Sequence, residues 1–106
     1  MLPGGSGGLW GMRPVSSVEL TRHAIDKLET YGIQNERLDS WREALQEGEP
    51  FLDVTSGATG SVFWWEERPW VVIFSQDGAR VVTTYPTDQR TVTNRRGGGR
   101  WISPNS

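Results

Sequence analysis

Residues 61–85 read Ser61-Val62-Phe63-Trp64-Trp65-Glu66-Glu67-Arg68-Pro69-Trp70-Val71-Val72-Ile73-Phe74-Ser75-Gln76-Asp77-Gly78-Ala79-Arg80-Val81-Val82-Thr83-Thr84-Tyr85. Three runs rich in β-branched and aromatic residues, 61–65, 70–74 and 80–85, alternate with turn-forming strings. Glu66-Glu67-Arg68-Pro69 marks one hairpin end, and Gln76-Asp77-Gly78-Ala79 contains an Asp-Gly turn. Links this short join antiparallel neighbours, because a parallel crossover needs about a dozen residues or more. Upstream, 51–55 is a fourth strand, joined through the loop Ser56-Gly57-Ala58-Thr59-Gly60. An antiparallel meander is therefore expected. Residues 91–93 and 100–102 are expected to add a last hairpin across Gly97-Gly98-Gly99.

A sheet with an apolar face needs a cover, and the chain before it supplies two amphipathic helices. In the first, Ser16 and Glu19 have capping-box spacing, and Val15 and Leu20 occupy staple positions. Leu20, Ala24, Leu28 and Tyr31 then share one face, and Gly32 ends the helix. A rival start at Thr21 puts His23 in the first turn. The second helix begins with Asn35 as its cap, buries Leu38, Trp41 and Leu45, and stops at Gly48 before Pro50. The expected fold class is α+β: two N-terminal helices packed on a four- to five-stranded antiparallel sheet. The domain is expected over 16–102, after a Gly/Pro-rich flexible segment, 1–15, and before a short tail, 103–106.

At 106 residues the chain fits one domain. It has no cysteine, which removes disulfides, a thiolate nucleophile and cysteine-bound zinc. It has one histidine, so no multi-histidine metal site forms, and the scattered acids do not make a calcium loop. No phosphate loop, dinucleotide fingerprint or nucleophile elbow is present. No metal ion or organic cofactor is expected. No apolar run reaches the length of a membrane span, and the N-terminus does not read as a signal peptide. The net charge of −2 hides an asymmetry. Residues 19–49 carry eight acids against four bases, whereas residues 88–106 carry one acid and four arginines.

Three features carry chemistry. His23 is the one side chain whose ordinary titration lies near neutral pH, and Lys27 stands one helical turn further on. The alternative role for His23 is a boundary residue that only packs. Strand alternation sends Thr83 and Tyr85 to one face and Thr84 to the other; threonine is also simply a good strand former. Arg90, Arg95, Arg96 and Arg100 carry the planar forks that match phosphate, and a solvated basic end is the plainer reading of the same run. Alternation also places Trp64 and Trp65 on opposite faces, so one of them is expected to be partly exposed and available to stack on a base.

Three strings, Leu20-Thr21-Arg22-His23-Ala24, Val71-Val72-Ile73-Phe74 and Val82-Thr83-Thr84-Tyr85-Pro86, together with the order of elements, resemble the barnase–EndoU–colicin–RelE superfamily of small ribonuclease folds. The polymorphic-toxin and phage-associated branches are the most similar, over roughly residues 18–102. The resemblance implies metal-independent cleavage of RNA, tRNA among the targets, to a 2′,3′-cyclic phosphate. It also implies action in the cytoplasm as the C-terminal part of a delivered protein, and a cognate immunity or antitoxin protein as partner. His23 matches the histidine near the first helix, Thr83 or Thr84 the strand threonine, and Thr91 to Arg96 the segment of further phosphate contacts. The chain departs from EndoU-like members in lacking a second histidine.

The expected catalytic set is His23, Lys27, Thr84 and Tyr85. The expected substrate-binding set is Arg22, Thr83, Arg90, Thr91, Arg95, Arg96 and Arg100. The rival reading is a non-catalytic interaction module, a phage accessory factor or antitoxin-like inhibitor that uses its acidic helical face. A transferase-type toxin is a third possibility. A catalytic His23 must face the same cleft as a strand hydroxyl and an arginine.

Overall fold

The computed structural model describes residues 18–104. Four strands form the meander that residues 51–85 announce: β2 (Glu49–Asp53), β3 (Thr59–Trp65), β4 (Arg68–Phe74) and β5 (Arg80–Pro86). Two short strands flank them: β1 (Glu19–Leu20) and β6 (Trp101–Ile102). The sheet order is β1-β5-β4-β3-β2-β6. The fold is α+β, with three helices and six strands among the described residues. The sheet is mixed, because β1 lies parallel to β5 while the other pairs are antiparallel. No helix among the described residues is long and apolar enough to cross a membrane.

The rival start of the first helix is the one observed. Helix α1 (Arg22–Thr30) is capped by Thr21, whose hydroxyl accepts from the Ala24 N–H at 3.2 Å. Glu19 is not a capping-box partner, because it is in β1. Its N–H donates to Ala79 O at 3.0 Å, and that of Thr21 donates to Val81 O at 3.1 Å. Pairing with β5 thus takes the backbone that a longer helix would have used. Ser16 and Val15 lie outside the described residues. At the other end Gly32 adopts φ +73°, donating to Glu29 O while Ile33 donates to Leu28 O. This is the Schellman arrangement, with Ile33 and Leu28 both in the core. Tyr31 is the residue at the helix end and is 43% exposed, so only its ring edge, against Trp70, serves the core.

Helix α2 (Glu36–Gln46) follows Asn35, which holds the cap position at φ +56° without a side-chain capping bond. Gly48 serves close approach: a Cβ there would sit 2.4 Å from Ser61 Oγ. One face of the sheet, carrying Phe63, Trp65, Trp70, Val72 and Val81, meets Ala24, Leu28, Trp41 and Leu45 of α1 and α2. Trp41, Phe63, Trp65 and Trp70 meet edge to face there, the geometry that ring quadrupoles prefer.

The expected last hairpin is replaced by a helix. Helix α3 (Gln89–Gly97) contains Thr91 and Thr93, and only β6 remains of the pair. Asp88 caps α3 by accepting from the Thr91 N–H at 2.7 Å. Val92 buries against Phe51, Val62, Val71 and Trp101 on the second face of the sheet. Capping and one buried contact outweigh the strand preference of the threonines. This helix stands on the second face of the sheet, in contact with β4 and β6.

Candidate functional site

Register decides which side chains share the second face. Val71 pairs with Tyr85, Ile73 with Thr83, and Val72 with Thr84. Cross-strand partners point the same way. Tyr85 and Thr83 therefore stand with Val71 and Ile73 on the α3 side, as alternation requires. Thr84 stands with Val72 on the α1/α2 side. It is fully buried and donates its hydroxyl to Val71 O at 2.8 Å. With that hydroxyl spent in the core, Thr84 reaches no substrate, which corrects its assignment as a catalytic group.

Tyr85 is 37% exposed at the foot of α3. Burial lifts its phenol above the ordinary value of 10.0, the Arg95 and Arg100 charges oppose that rise, and the Asp53 carboxylate adds to it. The phenol thus keeps its proton at neutral pH beside two cations. Thr91, Asn94, Arg95 and Arg100 line a cleft of about 260 Å³. Arg95 makes no ion pair with another described residue.

Arg100 is held by Asp53, its Nε lying 3.1 and 3.2 Å from the two carboxylate oxygens. Asp53 is only 6% exposed. Burial alone would raise its pKa. The Ser56 and Thr55 N–H groups, followed by Arg100, reverse this and hold the carboxyl below its ordinary 3.8. Trp101 Nε1 adds a bond at 3.3 Å, and its ring stacks on Phe51 at 4.2 Å. The result is a fixed negative centre that aims one arginine and leaves the other available.

The structure brings Tyr85, Thr83, Thr91, Arg95 and Arg100 to one face. The other expected site residues lie elsewhere. Arg96 projects from the far flank of α3 and pairs with Glu49 at 2.7 Å. Arg90 is exposed in the first turn of α3. Arg22, His23 and Lys27 lie on α1, with the helical layer. The His23 side chain is exposed and makes no hydrogen bond or ion pair with another described residue. Its nearest tie to the sheet is Thr21, whose hydroxyl donates to Val82 O at 3.2 Å. That bond sets the start of α1 beside the strand that carries Tyr85.

Asp53, Asn94 and Trp101 belong to the cluster without having been singled out. Asp53 carried a usable signal, since an aspartate before Thr55-Ser56-Gly57 reads as an Asx turn. No family model matches the chain, and no curated protein or solved structure matches it significantly.

Proposed function

We propose that the chain is a metal-independent endoribonuclease whose phosphate site is the sheet face opposite α1 and α2. The observation that carries this reading is that Arg95 and Arg100 line one cleft with Thr91 and Asn94 on the sheet face to which register also assigns Tyr85. A phosphodiester needs cations for its charge and a proton for its leaving oxygen. Arg95 and Arg100 supply the first. Tyr85, a phenol that is protonated at neutral pH, supplies the second. In the reaction the ribose 2′-oxygen attacks phosphorus, the bond from phosphorus to the 5′-oxygen breaks, and Tyr85 delivers a proton to that oxygen. The product is a 2′,3′-cyclic phosphate and a 5′-hydroxyl. RNA enters as the substrate through the sequence resemblance. His23 stands on α1, across the sheet from this face, so it does not meet the condition for a catalytic histidine, and the 2′-hydroxyl proton passes to solvent water.

The test is cleavage of total tRNA by the purified chain in EDTA, with Tyr85→Phe, Arg95→Ala and His23→Ala beside the wild type. Cleavage that survives EDTA and falls roughly 10²- to 10⁴-fold in folded Tyr85→Phe supports Tyr85 as the acid. His23→Ala is expected to keep full activity, and a loss comparable to that of Tyr85→Phe would show that His23 reaches the reacting atoms. Absence of cleavage by the wild type, or equal cleavage by all variants, overturns the ribonuclease reading. That outcome favours an interaction module, for which α2 offers Glu36, Asp39 and Glu43 exposed on one flank.

A further inference from the structure

A second cleft lies on the other flank of α3, reaching from the second sheet face to Ala44 and Glu47 at the end of α2. On a helix, positions 91, 94 and 95 share one side, while 89, 92 and 96 share the other. Gln89, Val92 and Arg96 thus line this cleft together with Val62, Trp64 and Glu49, around about 340 Å³. Trp64 is 54% exposed, whereas Trp41, Trp65, Trp70 and Trp101 are all buried. Strand β2 begins its pairing at Glu49 with Val62, so β3 runs on through Trp64 without a β2 neighbour. The core does not require an indole at this place.

We propose that this cleft is a nucleobase subsite, in which one base of the bound RNA stacks on Trp64. The inference rests on the phosphodiester reading above and deepens it. Charge separates the two clefts. Arg95 and Arg100 make the first one attractive to phosphate. In the second, Glu47 and Glu49 outnumber Arg96, so an anion is disfavoured and a neutral flat ring is not. Polar groups suited to a base edge stand on its rim. The Gln89 amide nitrogen donates to Thr93 Oγ1 at 2.9 Å, and its oxygen has no partner among the described residues. The Arg96–Glu49 pair at 2.7 Å offers donors and an acceptor side by side. Stacking combined with edge hydrogen bonds is how proteins read unpaired bases. Helix α3, about 10–12 Å across with its side chains, is then the ridge over which the strand passes from base to phosphate.

The test uses the full chain and hexanucleotides of 2′-O-methyl RNA, which cannot be cleaved by 2′-oxygen attack. One homopolymer of each base and one abasic hexamer are compared by fluorescence anisotropy. Trp64→Ala is expected to weaken the best-bound hexamer by roughly five- to a hundredfold, the usual worth of a stacked base. Trp64→Phe retains most of the binding. The abasic hexamer binds wild type and Trp64→Ala alike. Thermal melts confirm that both variants fold. Equal binding of the best hexamer by wild type and Trp64→Ala, with binding lost in Arg95→Ala, overturns the subsite and leaves the phosphate site standing. Binding that depends on Trp64 without any tRNA cleavage overturns the ribonuclease reading and keeps the subsite. No hexamer binding by the wild type overturns both.

Discussion

Asp53 is where the chain concentrates most polar interaction on one side chain. Its two oxygens accept from two backbone N–H groups, one arginine and one indole. Its charge also orients the Arg100 guanidinium beside Tyr85. Asp53→Asn keeps the shape but removes the charge and substitutes a donor for an acceptor. A loss of about 2 kcal/mol is expected, within the cost of leaving buried partners unsatisfied. The pH dependence has a definite sign. A carboxyl whose folded pKa lies below the ordinary 3.8 contributes stability that is fully present above the ordinary carboxylate range. That contribution disappears as pH falls through the folded value. Wild type should therefore lose its advantage over Asp53→Asn as pH falls from above the ordinary 3.8 to below it. Urea unfolding across that window checks this, and a constant gap would refute it. Strand alternation separates Tyr85 and Thr83 from Thr84, but it does not say which of the two faces stays open. Asp53 required the fold to show that a turn residue also grips an arginine 47 positions away.

Among the elements, the β3–β4 hairpin is built against local preference. Glu66 and Glu67 form its two-residue loop with φ +51° and +68°. This is the type I′ geometry that Asn-Gly or Gly-Gly adopt without strain. A non-glycine residue in the left-handed region costs roughly 1–2 kcal/mol. Glu66 has some return through Arg37 at 2.6 Å, although both groups are half exposed and such pairs are weak. The Glu67 side chain makes no hydrogen bond or ion pair with another described residue. Glu67→Gly should stabilise the protein by about 1 kcal/mol, read as a higher denaturant midpoint at unchanged slope; a lower midpoint would show that Glu67 has a packing role. Helix α3 behaves in the opposite sense. Its attachment rests on Val92, and its start rests on Asp88, so Asp88→Ala should cost about 1 kcal/mol. Hydrogen exchange should show that loss concentrated in 89–97. Uniform loss would mean that α3 opens only with the whole domain.

For the whole molecule, the sheet divides labour between its two faces. One is closed by α1, α2 and four interlocked aromatics. The other is crossed by one short helix and presents charge. The net charge of −2 makes nonspecific attraction to RNA weak, so binding has to come from local groups. With Arg95 and Arg100 as the phosphate contacts, the slope of log affinity against log salt for single-stranded RNA should be about −1.4. A titration of the 2′-O-methyl hexamer between low and moderate salt measures it. A slope several times steeper would mean that Arg22, Lys27 and Arg90 also touch the strand and that the path of the RNA crosses α1.

Interactions between neighbours along the chain account for one part of this fold. The four-strand meander follows from short links that permit only antiparallel pairing. The end of α1 follows from Gly32, and the opposite exposures of Trp64 and Trp65 follow from the two-residue period of a strand. The tertiary structure decided what depends on distant partners. β1 exists because β5 offers an edge to residues that otherwise suit a helix start. α3 has a local start in its Asp88 cap, but it is held because a pocket between Phe51, Val62, Val71 and Trp101 accepts Val92. The candidate site changed for the same reason. His23 and Tyr85 are 62 residues apart, and nothing local says which side of the sheet the first helix will cover. That choice is made by burial of Ala24 and Leu28 against Trp70, Val72 and Val81, and it leaves Tyr85 facing the arginines of α3 and the turn that follows it.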